Sequence, residues 1–216
     1  MQDFLWVEKY RPNRISDTIL PFELKKVFQE FVDQGNIPNL ILAGGPGVGK
    51  TTVAKAMLEE LKCDYIVING SMHGNIDTLR NEINQFASSV SFQGGRKYVI
   101  LDEADYLSPN AQAALRGVME EYHTTARFIL TCNYPNRIIP ALHSRCQGFH
   151  IAKIDQTEFT ARVAEILLAE GVTPNLDILD TYVKATYPDL RKCINMVQMN
   201  SVDNTLVSPQ EGDTGE

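Results

Sequence analysis

The run "GGPGVGKTT", Gly44 to Thr52, has the residue types and spacing to hold phosphate. Gly44, Gly49, Lys50 and Thr51 match the pattern of a glycine, four free positions, then Gly-Lys-Ser/Thr. Glycines let the chain curl until successive backbone N–H groups face inward, and a following helix adds positive potential at its N-terminus. Lys50 is expected to reach the β- and γ-phosphates of a nucleotide, and the Thr51 hydroxyl to ligate Mg²⁺. The plainer alternative is a glycine turn with a surface lysine. It does not explain why the run falls between an apolar strand pattern and a helical one.

A second chemical signal lies in "YVILDEAD", residues 98–105. An apolar strand pattern ends in Asp102 and Glu103, at the carboxyl end where open α/β sheets bind their ligands. Asp102 suits the water shell of Mg²⁺, and Glu103 suits the orientation and polarisation of an attacking water. By itself this pair reads as a solvated acidic loop; beside a phosphate loop it reads as chemistry. Asn133, closing "LTCN", either positions that water or begins the turn "NYPN". Arg191 in "PDLRKCIN" is either a solvated helix arginine or a lid residue that reaches the γ-phosphate. Arg145 in "ALHSRCQGFH" has no carboxylate close by in sequence, the nearest being Asp155 and Glu158. It is expected to be unpaired within its own chain.

Alternating elements must position these residues. Helical patterns are predicted over 23–35, 50–62, 76–90, 108–122 and near 138–144, and strands over 39–44, 65–70, 97–105, 127–133 and 148–152. Ser108 followed by Pro109 is a strong helix start. Apolar strands alternating with helices imply a parallel sheet covered on both faces. The pattern changes after about residue 154, where three helices follow without a strand. The expected division is a nucleotide-binding domain over 1–153, an all-helical lid over 154–205 and a disordered tail over 206–216.

Bulk properties narrow the classes. The 216 residues are 44% hydrophobic and 22% charged, an ordinary globular composition. A net charge of -7 argues against nucleic acid coating a whole face, so any such contact is local. The four cysteines, Cys63, Cys132, Cys146 and Cys193, form no C-x-x-C pair, which speaks against zinc and fits a reducing cytoplasm. The N-terminus lacks a signal-peptide pattern, and no apolar run reaches membrane-spanning length.

Six segments, in order, carry a family resemblance: "WVEKYRP" (6–12), "GGPGVGKTT", "LDEAD", "AQAALRGVMEEY", "RFILTCN" and "HSRC". Together they resemble the small subunits of replication factor C and, still more, the large subunit of the sliding-clamp loader of tailed bacteriophages. The resemblance covers residues 4 to about 200. It implies an AAA+ P-loop NTPase fold of the α/β class, a parallel five-stranded sheet followed by a small helical lid. It implies an ATPase that uses ATP and Mg²⁺. Val7, Glu8, Lys9, Tyr10 and Ile19 would line the adenine pocket, and Gly47, Val48, Gly49, Lys50, Thr51 and Thr52 would wrap the phosphates. Thr51 and Asp102 would serve the metal, Glu103 the water, Asn133 would be sensor 1 and Arg191 sensor 2. Arg145 would be an arginine finger completing a neighbour's site.

The implied partners are other loader subunits (copies of this chain plus a small subunit), a sliding clamp and primer–template DNA, in the cytoplasm, or the host's if the chain is viral. Arg80 is a candidate DNA-phosphate contact beside its plainer reading as a solvated helix arginine, and Arg116 is expected to couple DNA contact to Glu103. Such subunits usually carry a third, helical collar domain, for which this length leaves no room, so stable assembly is in question. Two alternatives stand: a solitary P-loop ATPase or helicase-like fragment, although a second RecA-like unit is not found, and a non-catalytic nucleotide-binding scaffold.

Overall fold

The computed structural model describes residues 4–72 and 75–210. These residues divide into two compact units. One comprises Pro12–Gly45 and Gly49–Ile151; the other comprises the segment up to Arg11, Pro46–Val48, and the chain from Ala152 onward.

The larger unit is built on a five-stranded sheet: β1 (Leu40–Ala43), β2 (Tyr65–Asn69), β3 (Lys97–Asp102), β4 (Ala126–Cys132) and β5 (Gln147–His150). The spatial order is β2-β3-β4-β1-β5 and every pairing is parallel. Sequence explains the order of burial. The apolar runs of β1, β3 and β4 are buried on both faces and occupy the centre, whereas β2 and β5 are more exposed and form the edges. Helices α2 (Phe22–Asp33), α3 (Lys50–Leu61), α4 (Ile76–Ser88), α5 (Pro109–Glu121) and α6 (Pro140–His143) complete this unit.

Alternation along the strands sends Ile41, Val99, Leu101, Phe128 and Leu130 into one cluster with Leu79 and Ile83 of α4 and Leu115 and Val118 of α5. Around β5, Phe149 meets Phe28 of α2 edge-to-face at 5.1 Å between ring centres. The Ser108 side chain accepts from Ala111 N at 3.1 Å, the cap that the Ser-Pro start predicts for α5.

The smaller unit contains α1 (Trp6–Lys9), α7 (Gln156–Ala169), α8 (Leu176–Thr186), α9 (Leu190–Met199) and a short antiparallel hairpin, β6 (Ser201–Val202) with β7 (Thr205–Leu206). Three corrections to expectation arise here. The N-terminal segment groups with this unit rather than with the sheet, because Trp6 is buried, its N–H donates to Gln198 Oε1 at 2.9 Å, and Gln198 Nε2 donates to Phe4 O at 2.8 Å. The helical region also carries a hairpin. Order extends past residue 206: Leu206 is buried, and the Tyr182 hydroxyl donates to Val207 O at 2.6 Å. The rest of the expected disordered tail, residues 211–216, lies outside the described residues. Among the described residues no helix is long and apolar enough to cross a membrane.

Candidate functional site

The sheet order determines which loops meet. With β4 hydrogen-bonded between β3 and β1, the carboxyl ends of these strands fall side by side, Ala43 opposite Cys132 and Leu101 opposite Leu130. The residues that follow are Gly44, Asp102 and Asn133, so one end of the sheet collects the chemistry.

Lys50, the first residue of α3, donates from Nζ to Gly44 O at 2.8 Å, Gly45 O at 2.8 Å and Asn133 Oδ1 at 2.9 Å. All three ammonium protons are thereby engaged. Its lysine is folded back onto its own loop and the end of β4, so it must exchange these partners to reach a phosphate. Burial lowers its pKa below the ordinary lysine range, with Cys132, Asp105, Asp102 and Glu103 opposing that shift. Gly47 and Gly49 have φ of +74° and +92°, left-handed values that suit glycine. Thr52 is half-buried on α3.

The Thr51 hydroxyl donates to Asp102 Oδ1 at 2.7 Å, and the Thr131 hydroxyl donates to the same oxygen at 2.9 Å. A hydroxyl and a carboxylate this close are the hard-oxygen pair that Mg²⁺ takes, so the donor set fits that ion. Glu103 has a left-handed backbone, φ 54° and ψ 45°, uncommon for a residue with a Cβ. Its N–H donates to Thr131 Oγ1 at 3.2 Å, and Gly70 N–H donates to Asp102 O at 2.7 Å. These contacts pin the acidic turn from both neighbouring strands.

Sequence reasoning missed three residues at this end of the sheet. Gly70 is one: a Cβ there would lie 2.7 Å from Glu103 O, so only glycine lets the backbones approach. Asp105 is buried, and its Oδ2 accepts from Asn133 N at 3.1 Å and Tyr134 N at 2.9 Å, which sets the backbone of Asn133. Gln112 is the third. It is 1% exposed, donates to Leu107 O at 3.0 Å and Arg137 O at 2.9 Å, and accepts from Ile139 N at 2.7 Å. The available signal was its place on the apolar stripe of α5 with Leu115 and Met119.

Arg145 departs from expectation. It is not unpaired: its Nη2 pairs with Glu120 and its Nη1 donates to Ala141 O at 3.2 Å. Glu120 is 25 residues away in sequence but lies in the last turn of α5. Arg116 also faces Glu120, with Nη2 3.6 Å from its Oε1. Arg80 is exposed on α4.

In the smaller unit, Lys9 Nζ pairs with Glu170, and the Tyr10 hydroxyl donates to Glu170 Oε1 at 2.7 Å. These side chains tie α1 to the end of α7. Glu8 lies 3.9 Å from Arg191 Nη2 and 3.8 Å from Arg11 Nε, so Arg191 keeps company with the segment expected to hold adenine. Val7 is half-buried there, and Ile19 is half-buried in the larger unit. Val48 is buried, and a Cβ on Gly47 would sit 3.4 Å from Asp189, the N-cap of α9.

The arrangement is suited to phosphoryl chemistry and unsuited to thiolate chemistry. Burial pushes Cys63 and Cys146 up to about 12, and Cys132 and Cys193 up to about 11.

Comparison with known proteins agrees with this geometry. The family model described as "ATPase family associated with various cellular activities" matches residues 40–156. The chain is 37% identical over 203 residues to the replication factor C small subunit of Methanocella arvoryzae, covering 91% of this chain and 63% of that protein. It is 40% identical over 200 residues to that of Picrophilus torridus, covering 90% and 63%. It is 36% identical to the probable replication factor C subunit 5 of Dictyostelium discoideum, covering 93% and 61%. The chain thus spans somewhat less than two thirds of the length of these relatives. Among solved structures, the Thermotoga maritima RuvB Holliday junction branch migration motor superposes with a TM-score of 0.73 at 16% identity, covering 89% of this chain and 65% of that one. At that identity the likeness concerns the fold.

Proposed function

The chain belongs to the AAA family of ATPases, and we propose that it is an ATP-hydrolysing subunit of a replication factor C-type sliding-clamp loader. The observation that carries the ATPase reading is the meeting of Lys50, Thr51, Asp102 and Asn133 at one end of the sheet. The loader reading draws on the 36–40% identity to replication factor C subunits across at least 90% of the chain.

In this reading the backbone from Gly47 to Thr52 binds the phosphates, and Lys50 trades Gly44 O, Gly45 O and Asn133 Oδ1 for β- and γ-phosphate oxygens. Thr51 and Asp102 hold Mg²⁺, which when bound neutralises phosphate charge. Glu103 orients a water and takes its proton as the water attacks the γ-phosphorus and ADP leaves. Asn133 positions that water, held in place through Asp105. Val7, Glu8, Lys9, Tyr10 and Ile19 serve the adenine, and Arg191 serves the γ-phosphate. Arg145 acts on the ATP of a neighbouring subunit.

The finer reading places the chain beside further copies of itself and a small subunit, as in tailed-phage loaders. The ATP-bound assembly holds a clamp open, primer–template DNA triggers hydrolysis, and Arg80 touches a DNA phosphate.

Steady-state ATP hydrolysis, measured at several protein concentrations with and without primed DNA, a cognate clamp and a partner subunit, tests this reading. It expects turnover that rises more steeply than linearly with protein concentration and is stimulated by clamp and DNA. Turnover strictly proportional to protein concentration and indifferent to DNA would point to a solitary ATPase. Nucleotide binding without turnover under every condition would point to a scaffold.

A further inference from the structure

We propose that Glu120 is a positioning residue for Arg145, holding its guanidinium ready for a phosphate on a neighbouring copy while Arg116 keeps the group's charge positive. The inference rests on the trans-acting role of Arg145 proposed above.

Three facts carry it. Arg145 follows the short helix α6, and among the described residues its partners are the Ala141 carbonyl and Glu120. A guanidinium has five N–H donors in a rigid fork. Two are used here, which orients the fork and leaves three for an incoming oxygen anion. Second, Glu120 is itself held, because Arg116 sits one helical turn earlier with Nη2 3.6 Å from the same carboxylate oxygen. Third, the charges sum favourably. A lone arginine–glutamate pair would present no net charge to a phosphate, whereas two arginines sharing one glutamate present a net positive charge.

The exposure of the group argues against a role in holding the fold. The Arg145 and Glu120 side chains are 29% and 49% exposed, and ion pairs that open to water contribute little to stability. Their value lies elsewhere. An arginine side chain that is free in solvent must give up many rotamers when it meets a phosphate, and one already oriented gives up fewer. Glu120 therefore makes that loss before the subunits meet.

Mixtures of complementary variants test the proposal. Lys50→Ala protein lacks a working phosphate loop but donates Arg145, whereas Arg145→Ala protein has a working loop but no finger. Mixed with the cognate clamp, partner subunit and primed DNA, the pair is expected to recover hydrolysis that neither shows alone. Adding Glu120→Ala to the Lys50→Ala donor is expected to lower the recovered kcat about tenfold, with the KM for ATP unchanged. Adding Glu120→Gln, whose amide oxygen still accepts from the guanidinium, is expected to keep recovered kcat within about threefold of the parent mixture. Recovery unchanged or increased by Glu120→Ala overturns the positioning role and leaves the trans-acting finger standing. No recovery in the parent mixture overturns the trans-acting reading itself, and this proposal with it. Melting temperatures of the donors separate both outcomes from misfolding.

Discussion

The Thr51 hydroxyl and the Asp102 carboxylate lie 2.7 Å apart, although 51 residues separate them in sequence. One lies in the first turn of α3 and the other ends β3, and Thr131 on β4 donates a second hydrogen bond to the same Asp102 oxygen. Asp102 is thus held from two sides, by Thr51 and by Thr131.

This pairing predicts separable effects on metal dependence. Thr51→Ser retains a hydroxyl and is expected to keep hydrolysis, while Thr51→Val removes it. Asp102→Asn is expected to lower kcat by about 100-fold or more, in the range seen when one electrostatic contact to a transition state is lost. Titrating Mg²⁺ at fixed ATP checks the origin of the loss: Thr51→Val should require more Mg²⁺ for half-maximal rate, and an unchanged requirement would detach Thr51 from the metal.

Gly70 sets the position of the acidic turn. In Gly70→Ala the new methyl would meet Glu103 O at 2.7 Å and Asp102 O at 3.2 Å, both backbone atoms with little room to yield. The expected cost is about 1–3 kcal/mol of stability, as for other overpacked sites, together with a fall in kcat. Urea unfolding and steady-state kinetics measure the two separately, and wild-type values of both would refute the close approach.

Gln112 ties together the loops after β3 and β4 and the start of α6 through three hydrogen bonds to backbone groups. Gln112→Ala strands these groups in a buried setting, and the expected loss is about 2–4 kcal/mol. Gln112→Glu keeps the length but replaces a donor by an acceptor facing two carbonyls, so it should be at least as damaging at neutral pH. Chemical denaturation of the two variants checks the order.

The Lys9–Tyr10–Glu170 cluster predicts a pH window for the smaller unit. Hydrogen bonds from Lys9 and then Tyr10 hold the Glu170 carboxyl below its ordinary 4.5. Its contribution is complete above 4.5 and is lost as pH falls through the lowered value. The hydrogen bond to Glu170 raises Lys9 above 10.5, so that side of the pair is complete below 10.5 and is lost as pH rises through the raised value. The effect is small because Lys9 is 43% exposed. Glu170→Gln is expected to flatten the acid limb of the melting curve, read from the fluorescence of Trp6, the single tryptophan. An acid limb identical to wild type would dissociate Glu170 from it.

Much of this was legible in the linear sequence. The Gly44–Thr52 run declares a phosphate loop because its chemistry is local: glycines for the turn, then a lysine and a hydroxyl at the head of a helix. Apolar runs in β1, β3 and β4 declare central parallel strands because a strand buried on both faces has no polar side. Ser108 and Pro109 declare a helix start because capping acts within the first helical turn.

What the sequence could not decide are the relationships between residues far apart along the chain. Lys97 at the start of β3 is 4% exposed, and its Nζ donates to Phe86 O at 2.7 Å near the end of α4, a pairing that strand patterning does not declare. Lys9 and Tyr10 both find Glu170, about 160 residues further along, a partner that nothing near them in the sequence declares. Arg145 reads as unpaired because no acid stands near it in sequence, and folding brings Glu120 to it. Periodicity and turn chemistry act over a few residues and determine the elements. Strand order and helix packing act across the whole chain and determine which polar groups find one another, so the partners of Asp102, Gln112 and Arg145 belong to the tertiary structure alone.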